Sequence, residues 1–176
     1  MAIFLEREGQ QDATRSAMVA YPLRNTLSEH GAVSRGICTV STDRHLLEVE
    51  ECTGILRGED GSLSGIDTAG RVRRFAGDEM ASMNFWGFTP DVFPQPGRLF
   101  GDFLRNMGLD SLKSELYIPS AVTSLIESGA AVVSVLMSNG RWFGVTCRED
   151  RAAVAATIKE MSRQGLFKTL LSKDVK

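Results

Sequence analysis

The hydrophobic period changes part-way along the chain, and that change most constrains the fold. Up to Phe88 the apolar residues come in short runs of strand length, broken by turn-forming residues. Beyond it, helical spacings dominate. Ala17–Leu23, Gly36–Thr42, Leu46–Glu51 and Met80–Phe88 read as strands, with a turn at Asp43-Arg44 between the second and third. Two turn signals, Glu59-Asp60-Gly61 and Thr68-Ala69-Gly70, predict a polar hairpin inserted between core strands over residues 55–78. Residues 2–8 read as a helix ending at Gly9. Thr89-Pro90-Asp91 starts a helix, and Leu99–Met107 forms another. Ile118–Ser128 has Pro119 in its first turn, Val122 and Ile126 four apart, and Gly129 just past its end. Ala130–Met137 and Arg141–Val145 are strand-like around a turn at Ser138-Asn139-Gly140. Thr146-Cys147-Arg148-Glu149 has capping-box spacing, and Val154, Ile158 and Met161 follow at i, i+4 and i+7 before Gly165. Strands alternating with helices predict an α/β fold with a mixed sheet, and 176 residues suit a single domain.

Charge and composition remove several function classes. A net charge of −2 is not the concentrated basic character of a nucleic-acid binder. The one basic run, Arg71-Val72-Arg73-Arg74, reads as a solvated strand or turn. Cys38, Cys52 and Cys147 are odd in number and match no metal or redox spacing, and His30 and His45 have no partners at ligand spacing. Reduced thiols, no zinc site and a cytoplasmic setting are expected. No apolar run approaches the length of a membrane span, so no membrane partner is expected. The start, Met-Ala-Ile-Phe-Leu-Glu, does not read as a signal peptide.

Neither phosphate-cradling glycine loop, G-x-x-x-x-G-K-[ST] or G-x-G-x-x-G, occurs, and neither G-x-S-x-G nor H-E-x-x-H is present. Cys38 and His30 are residue types of a nucleophile and its base, but they read better as a buried structural cysteine beside a loop histidine. Trp86 and Trp142 each stand beside a strand glycine, in Phe85-Trp86-Gly87-Phe88 and Trp142-Phe143-Gly144. Glycine there marks either a bulge in ordinary packing or close approach by a ligand, and an adjacent aromatic can stack on a sugar face.

Four segments carry a family resemblance. They are Gly31-Ala32-Val33-Ser34-Arg35-Gly36, Ser82-Met83-Asn84-Phe85-Trp86-Gly87-Phe88-Thr89-Pro90, Ser114-Glu115-Leu116-Tyr117-Ile118-Pro119 and Arg141-Trp142-Phe143-Gly144-Val145-Thr146. In this order they resemble a bacterial group of sugar-1-phosphate nucleotidyltransferases, related to glucose-1-phosphate uridylyl- and thymidylyltransferases. The resemblance covers about residues 17–170. It implies a Rossmann-like α/β sandwich and a reaction of nucleoside triphosphate with sugar-1-phosphate that gives NDP-sugar and pyrophosphate. Mg²⁺ and basic side chains neutralise charge in that reaction. The family's glycine-rich triphosphate loop, its lysine and its acidic Mg²⁺ motif have no counterpart before residue 17. The resemblance therefore implies an N-terminally truncated domain that starts in the helix after the acidic motif. Alone it would bind no Mg²⁺ and be inactive, with no catalytic residue assigned.

On the sugar side the resemblance implies four substrate-binding positions. Gly31 matches a glycine whose amide faces the sugar, and otherwise reads as a turn glycine. Glu51 matches a glutamate accepting hydrogen bonds from sugar hydroxyls, and otherwise reads as a solvated strand carboxylate. Asn84 matches the pocket floor, and otherwise reads as a strand residue bonded to a nearby loop. Trp142 is the aromatic of the last block. Two positions depart from the family. Cys52 stands where a lysine or arginine meets the sugar phosphate. Gly144 stands where better-known thymidylyltransferases have a second metal-binding aspartate, and Glu149 and Asp150 read as first-turn helix acids rather than substitutes. Three readings follow: part of an active transferase completed by another polypeptide that supplies the nucleoside triphosphate site, a non-catalytic protein binding sugar-1-phosphate weakly, or a homodimerising scaffold that keeps only the fold.

Overall fold

The computed structural model describes residues 1–8, 15–28, 31–92, 94–106, 116–144, 148 and 150–165. It falls into two compact units, Met1–Gly140 and Arg141–Lys176. The first holds seven strands: β1 (Arg15–Pro22), β2 (Val33–Val40), β3 (Leu46–Arg57), β4 (Leu63–Ile66), β5 (Val72–Phe75), β6 (Met80–Gly87) and β7 (Val132–Met137). It also holds helices α1 (Ala2–Glu8), α2 (Pro94–Asn106) and α3 (Ile118–Glu127). The second unit contributes α4 (Asp150–Arg163). The class is mixed α/β. Among the described residues, no helix is long and apolar enough to cross a membrane.

The strand order is β5-β4-β3-β2-β6-β1-β7. Only β1 and β7 run parallel; every other pair is antiparallel. The sheet is two smaller ladders, β6-β1-β7 and β2-β3-β4-β5, joined by just two residue pairs, Gly36 with Ser82 and Ile37 with Ala81. The predicted hairpin region supplies β4 and β5, which extend the sheet beyond β3. Its two predicted turns form, with Gly61 and Gly70 at positive φ and Asp60 and Asp67 bonding the backbone amides of Ser62 and Ala69.

Each face of the sheet has its own core. On one face Leu23, Ile37, Cys52, Ile55, Leu63, Phe75 and Ala81 pack together. Cys52 and Ile55 lie three apart and still share this face, because a bulge around Gly54 (φ 62°) absorbs the extra residue. On the other face Met18, Ala20, Leu46, Val133 and Val135 pack with Val122 and Ile126 of α3. Pro119 starts that helix, and Gly129 (φ 70°) follows it. The β2–β3 hairpin tip folds over towards β7. Val135 N–H donates to the Arg44 carbonyl at 2.8 Å, and His45 bridges to Ser134. Gly87 admits α1, since a Cβ there would meet Leu5 Cδ1 at 2.9 Å.

Three elements differ from the sequence reading. β3 runs on to Arg57, past Glu51. Thr89-Pro90-Asp91 gives only a short 3-10 turn, Pro90–Val92, and α2 starts at Pro94 rather than Leu99. Arg141–Gly144 is not a strand, and Val145, Thr146, Cys147 and Glu149 lie outside the described residues.

Candidate functional site

Four neighbouring strands contribute one residue each to a continuous cross-strand row: Ala20 of β1, Ser82 of β6, Gly36 of β2 and Glu51 of β3. Directly opposed residues in antiparallel strands share a face, so all four positions face the same side. The row is floored by small residues. Ala20, Ser82 and Gly36 are buried, and Glu51 at the end is exposed. A Cβ on Gly36 would lie 2.6 Å from Val49 Cγ1, 3.5 Å from Ser82 Cβ and 3.8 Å from Glu51 Oε2. Val49 and Glu51, two apart on β3, thus both reach over the Gly36 backbone, which is buried with Val49 packed against it.

Asn84 adjoins this row through a backbone irregularity. Val19 pairs with Phe85 and Ala20 with Ser82, so Met83 and Asn84 bulge out of β6. Asn84 takes φ 54°, a conformation asparagine tolerates better than most residues. Its N–H donates to Ser82 Oγ (3.2 Å), and its Oδ1 accepts from Trp86 Nε1 (3.3 Å). Trp86 in turn stacks on Phe88, with ring centroids 6.1 Å apart and planes 8° from parallel. Ser82 therefore links Asn84 to the Gly36–Glu51 pair.

Arg35 is the cation whose charge acts on Glu51, although it pairs with Cys52 and so stands on the other face of the sheet. Its Nε and Nη2 donate to the Thr26 carbonyl, and its Nη1 donates to the Ser34 carbonyl at 2.7 Å. Partial burial lowers its pKa, an effect the Glu51 charge opposes. Desolvation raises the pKa of Glu51 above the ordinary carboxylate value, and Arg35 opposes that rise. In its ionised form Glu51 is an acceptor suited to hydroxyl donors.

Glu51 and Asn84 are brought into one neighbourhood, but the glycine beside them is Gly36. Gly31 is exposed at φ 152°, with open space about its Cα, two residues before β2 begins. Five residues of extended chain put it up to about 16 Å from Gly36. Ser82 and Gly36 are the neighbours the sequence reading did not single out. Both stood inside quoted segments, but only strand register shows that they meet Glu51.

Cys52 points to the opposite face from Glu51 and is fully buried among Ile37, Ile55 and Leu63. The position where the family carries a cation is here part of an apolar core. Burial pushes the Cys38 thiol up to about 12, which suits a packed residue rather than a nucleophile; His30 lies outside the described residues. In the second unit the Trp142 indole lies against Gly144, where a Cβ would come within 2.7 Å of Cζ2. Asp150 is buried at the start of α4, and Glu149 is outside the described residues. Among the described residues, no group of three or more His, Cys, Asp or Glu side chains is placed to hold a metal ion. Compared with known proteins, the chain matches no family model and no curated sequence.

Proposed function

We propose that this chain is the sugar-phosphate-binding part of a sugar-1-phosphate nucleotidyltransferase on a Rossmann-like framework. The observation that carries the reading is the exposed Glu51 carboxylate set by strand register in one row with Gly36 and Ser82, next to the Asn84 bulge. A carboxylate accepts from paired hydroxyls. The chain has no glycine-rich phosphate loop, and position 52 gives no cation for the sugar phosphate. Its own share of the reaction is to bind and orient the sugar. Nucleotidyl transfer needs triphosphate-binding groups that residues 1–176 do not supply.

Calorimetry with glucose-1-phosphate tests this reading. Binding is weak, and Glu51→Ala lowers it by about 1.5–3 kcal/mol, the worth of a charged hydrogen bond. Equal affinity in both proteins removes Glu51 from the site. The pure chain releases no pyrophosphate from UTP or dTTP with glucose-1-phosphate; turnover would overturn the assignment of a binding role alone.

A further inference from the structure

An asparagine side chain can close onto the backbone nitrogen of the next residue. Closure needs a next residue without a side chain, a peptide outside helix and strand, and a side-chain amide left unbonded. Of the four asparagines, Asn139 alone precedes a glycine. Asn139 and Gly140 are exposed and lie past the end of β7, in neither helix nor strand. Among the described residues, nothing bonds the Asn139 side-chain amide.

The bonds at this turn hold only its backbone. Gly140 N–H donates to Ser138 Oγ at 3.2 Å. Asn25, the last residue of the 3-10 turn Leu23–Asn25, donates from Nδ2 to the Asn139 and Gly140 carbonyls at 3.3 Å each. These exposed bonds sit at the long end of the hydrogen-bond range, so each restrains the turn by about 1 kcal/mol or less. The bond to the Asn139 carbonyl also draws electron density from the peptide group whose nitrogen must attack, which eases loss of its proton.

The comparable positions are tied. Asp60-Gly61 is the one aspartyl-glycine pair. Asp60 Oδ1 accepts from the Ser62 hydroxyl at 2.7 Å and from Ser62 N–H at 3.0 Å, and Gly61 N–H donates to the Gly58 carbonyl at 2.9 Å. The Ser62 bonds hold this carboxyl below the usual carboxylate range, and an ionised carboxylate is a poor target for a nucleophile. Asn25 and Asn84 both use their side chains in hydrogen bonds, and Thr26 and Phe85 follow them.

We propose that Asn139 is a self-modification site, where the Gly140 nitrogen closes on the side chain and the ring opens to isoaspartate. Gly140 N gives up its proton and bonds to Asn139 Cγ; the Cγ–Nδ2 bond breaks, and the side-chain nitrogen leaves as ammonia. Water then opens the cyclic imide. Attack at the main-chain carbonyl carbon gives isoaspartate, and attack at Cγ gives aspartate. Isoaspartate carries the main chain through the side-chain carbon, so it moves both carbonyls that Asn25 holds and places a carboxylate at the end of β7. The site is independent of whether Glu51 takes a sugar.

Peptide mass mapping tests the proposal on the full chain, kept folded at mildly alkaline pH and, in parallel, unfolded in urea. Trypsin releases Ser114–Arg141, in which Asn139 is the sole side-chain amide, so replacement of NH by O in that peptide reports this residue. Folded conversion stays within about tenfold of that in urea, because only weak exposed bonds restrain the turn. Folding slows isomerisation at Asp60-Gly61 by a larger factor. Isoaspartate, located by fragmentation and by isoaspartate-specific carboxyl methylation, exceeds aspartate in the product. Gly140→Ala loses most of the conversion, since its methyl shields the nitrogen and stands 3.3 Å from Ser138 Oγ. Gly140 is not at positive φ, so that variant keeps the parent's melting temperature. A folded chain that stays unconverted while the urea-unfolded chain converts overturns the proposal. Aspartate as the sole product, or a Gly140→Ala variant that converts as fast as the parent, overturns the ring route and the proposal with it.

Discussion

The carboxylate of Glu51 overhangs Gly36, with Oε2 3.8 Å from the point where a β-carbon on that glycine would sit. The same β-carbon would meet Val49 Cγ1 at 2.6 Å, closer than non-bonded carbons approach. Gly36→Ala therefore costs about 1–3 kcal/mol of overpacking and fills the floor of the site. Adding Val49→Ala makes room for the methyl group and recovers much of the stability, but not the binding of glucose-1-phosphate. Urea unfolding and calorimetry on the single and double variants separate the two effects. A double variant that regains both stability and affinity would show that the glycine serves packing alone.

Glu51 links binding and stability with opposite signs. Its folded pKa is raised, chiefly by desolvation, so between the ordinary carboxylate value and the raised one the folded state binds more proton than the unfolded state. Stability from this group therefore falls as pH rises through that window and is regained on acidification. Glu51→Gln removes the cost, so its melting temperature at neutral pH is equal to or above that of the parent, while sugar-phosphate affinity drops. In the parent, affinity falls on acidification through the raised pKa, because the protonated carboxyl loses acceptor strength. A pH series of calorimetric titrations on both proteins checks this; a pH profile shared by the glutamine variant would exclude Glu51 as the titrating group.

Asn84 is held at φ 54° by the bulge and by its bonds to Ser82 and Trp86. A β-carbon without the compensating amide pays about 1–2 kcal/mol there. Asn84→Ala is expected to lose at least that much, and Asn84→Gly less, since glycine relieves the backbone while the Trp86 bond is still lost. Chemical denaturation ranks the three proteins. An alanine variant as stable as the parent would mean that the bulge relaxes.

Local chemistry was readable from the sequence, and register was not. The turns at Asp60-Gly61 and Ala69-Gly70 and the bounds of α3 follow from residues within a few positions of one another, and all formed. Gly31, Glu51 and Asn84 came from the family resemblance rather than from local chemistry, and it is the pairing of β2 with β3 and β6 that sets Gly36, not Gly31, beside Glu51. β3 outran its expected end because the bulge at Gly54 lets Ile55 rejoin the core after Cys52. Arg141–Val145 has strand-like residues, yet Arg141–Gly144 joins no ladder and Trp142 lies against Gly144 instead.

Gly144 is expected to matter for the placement of Trp142 rather than for a metal. Any β-carbon at 144 runs into the indole, so Gly144→Ala and Gly144→Asp both displace the ring and destabilise its unit by about 1–3 kcal/mol. In a Trp86→Phe background Trp142 is the sole tryptophan, and its emission maximum and quenching by iodide report the displacement. Unchanged emission in the alanine variant would show that the indole is not held against this backbone.

Cys52 supplies the sharpest contrast between the family pattern and this chain. A lysine introduced there to restore the missing cation enters the cluster of Ile37, Ile55, Leu63 and Phe75, on the sheet face away from Glu51. An ammonium carried into that cluster is desolvated, and the nearest carboxylate on the same strand face, Glu50, is already paired with Arg73, so it costs several kcal/mol or is driven to its neutral form. Cys52→Lys is therefore expected to lower stability by about 3 kcal/mol or more without tightening glucose-1-phosphate. Cys52→Val, which keeps the apolar character and nearly the same volume, is expected to fold normally and bind as the parent does. Urea unfolding and calorimetry on the two variants decide the point. A lysine variant that folds well and binds the sugar phosphate more tightly would mean that β3 can turn residue 52 towards Glu51.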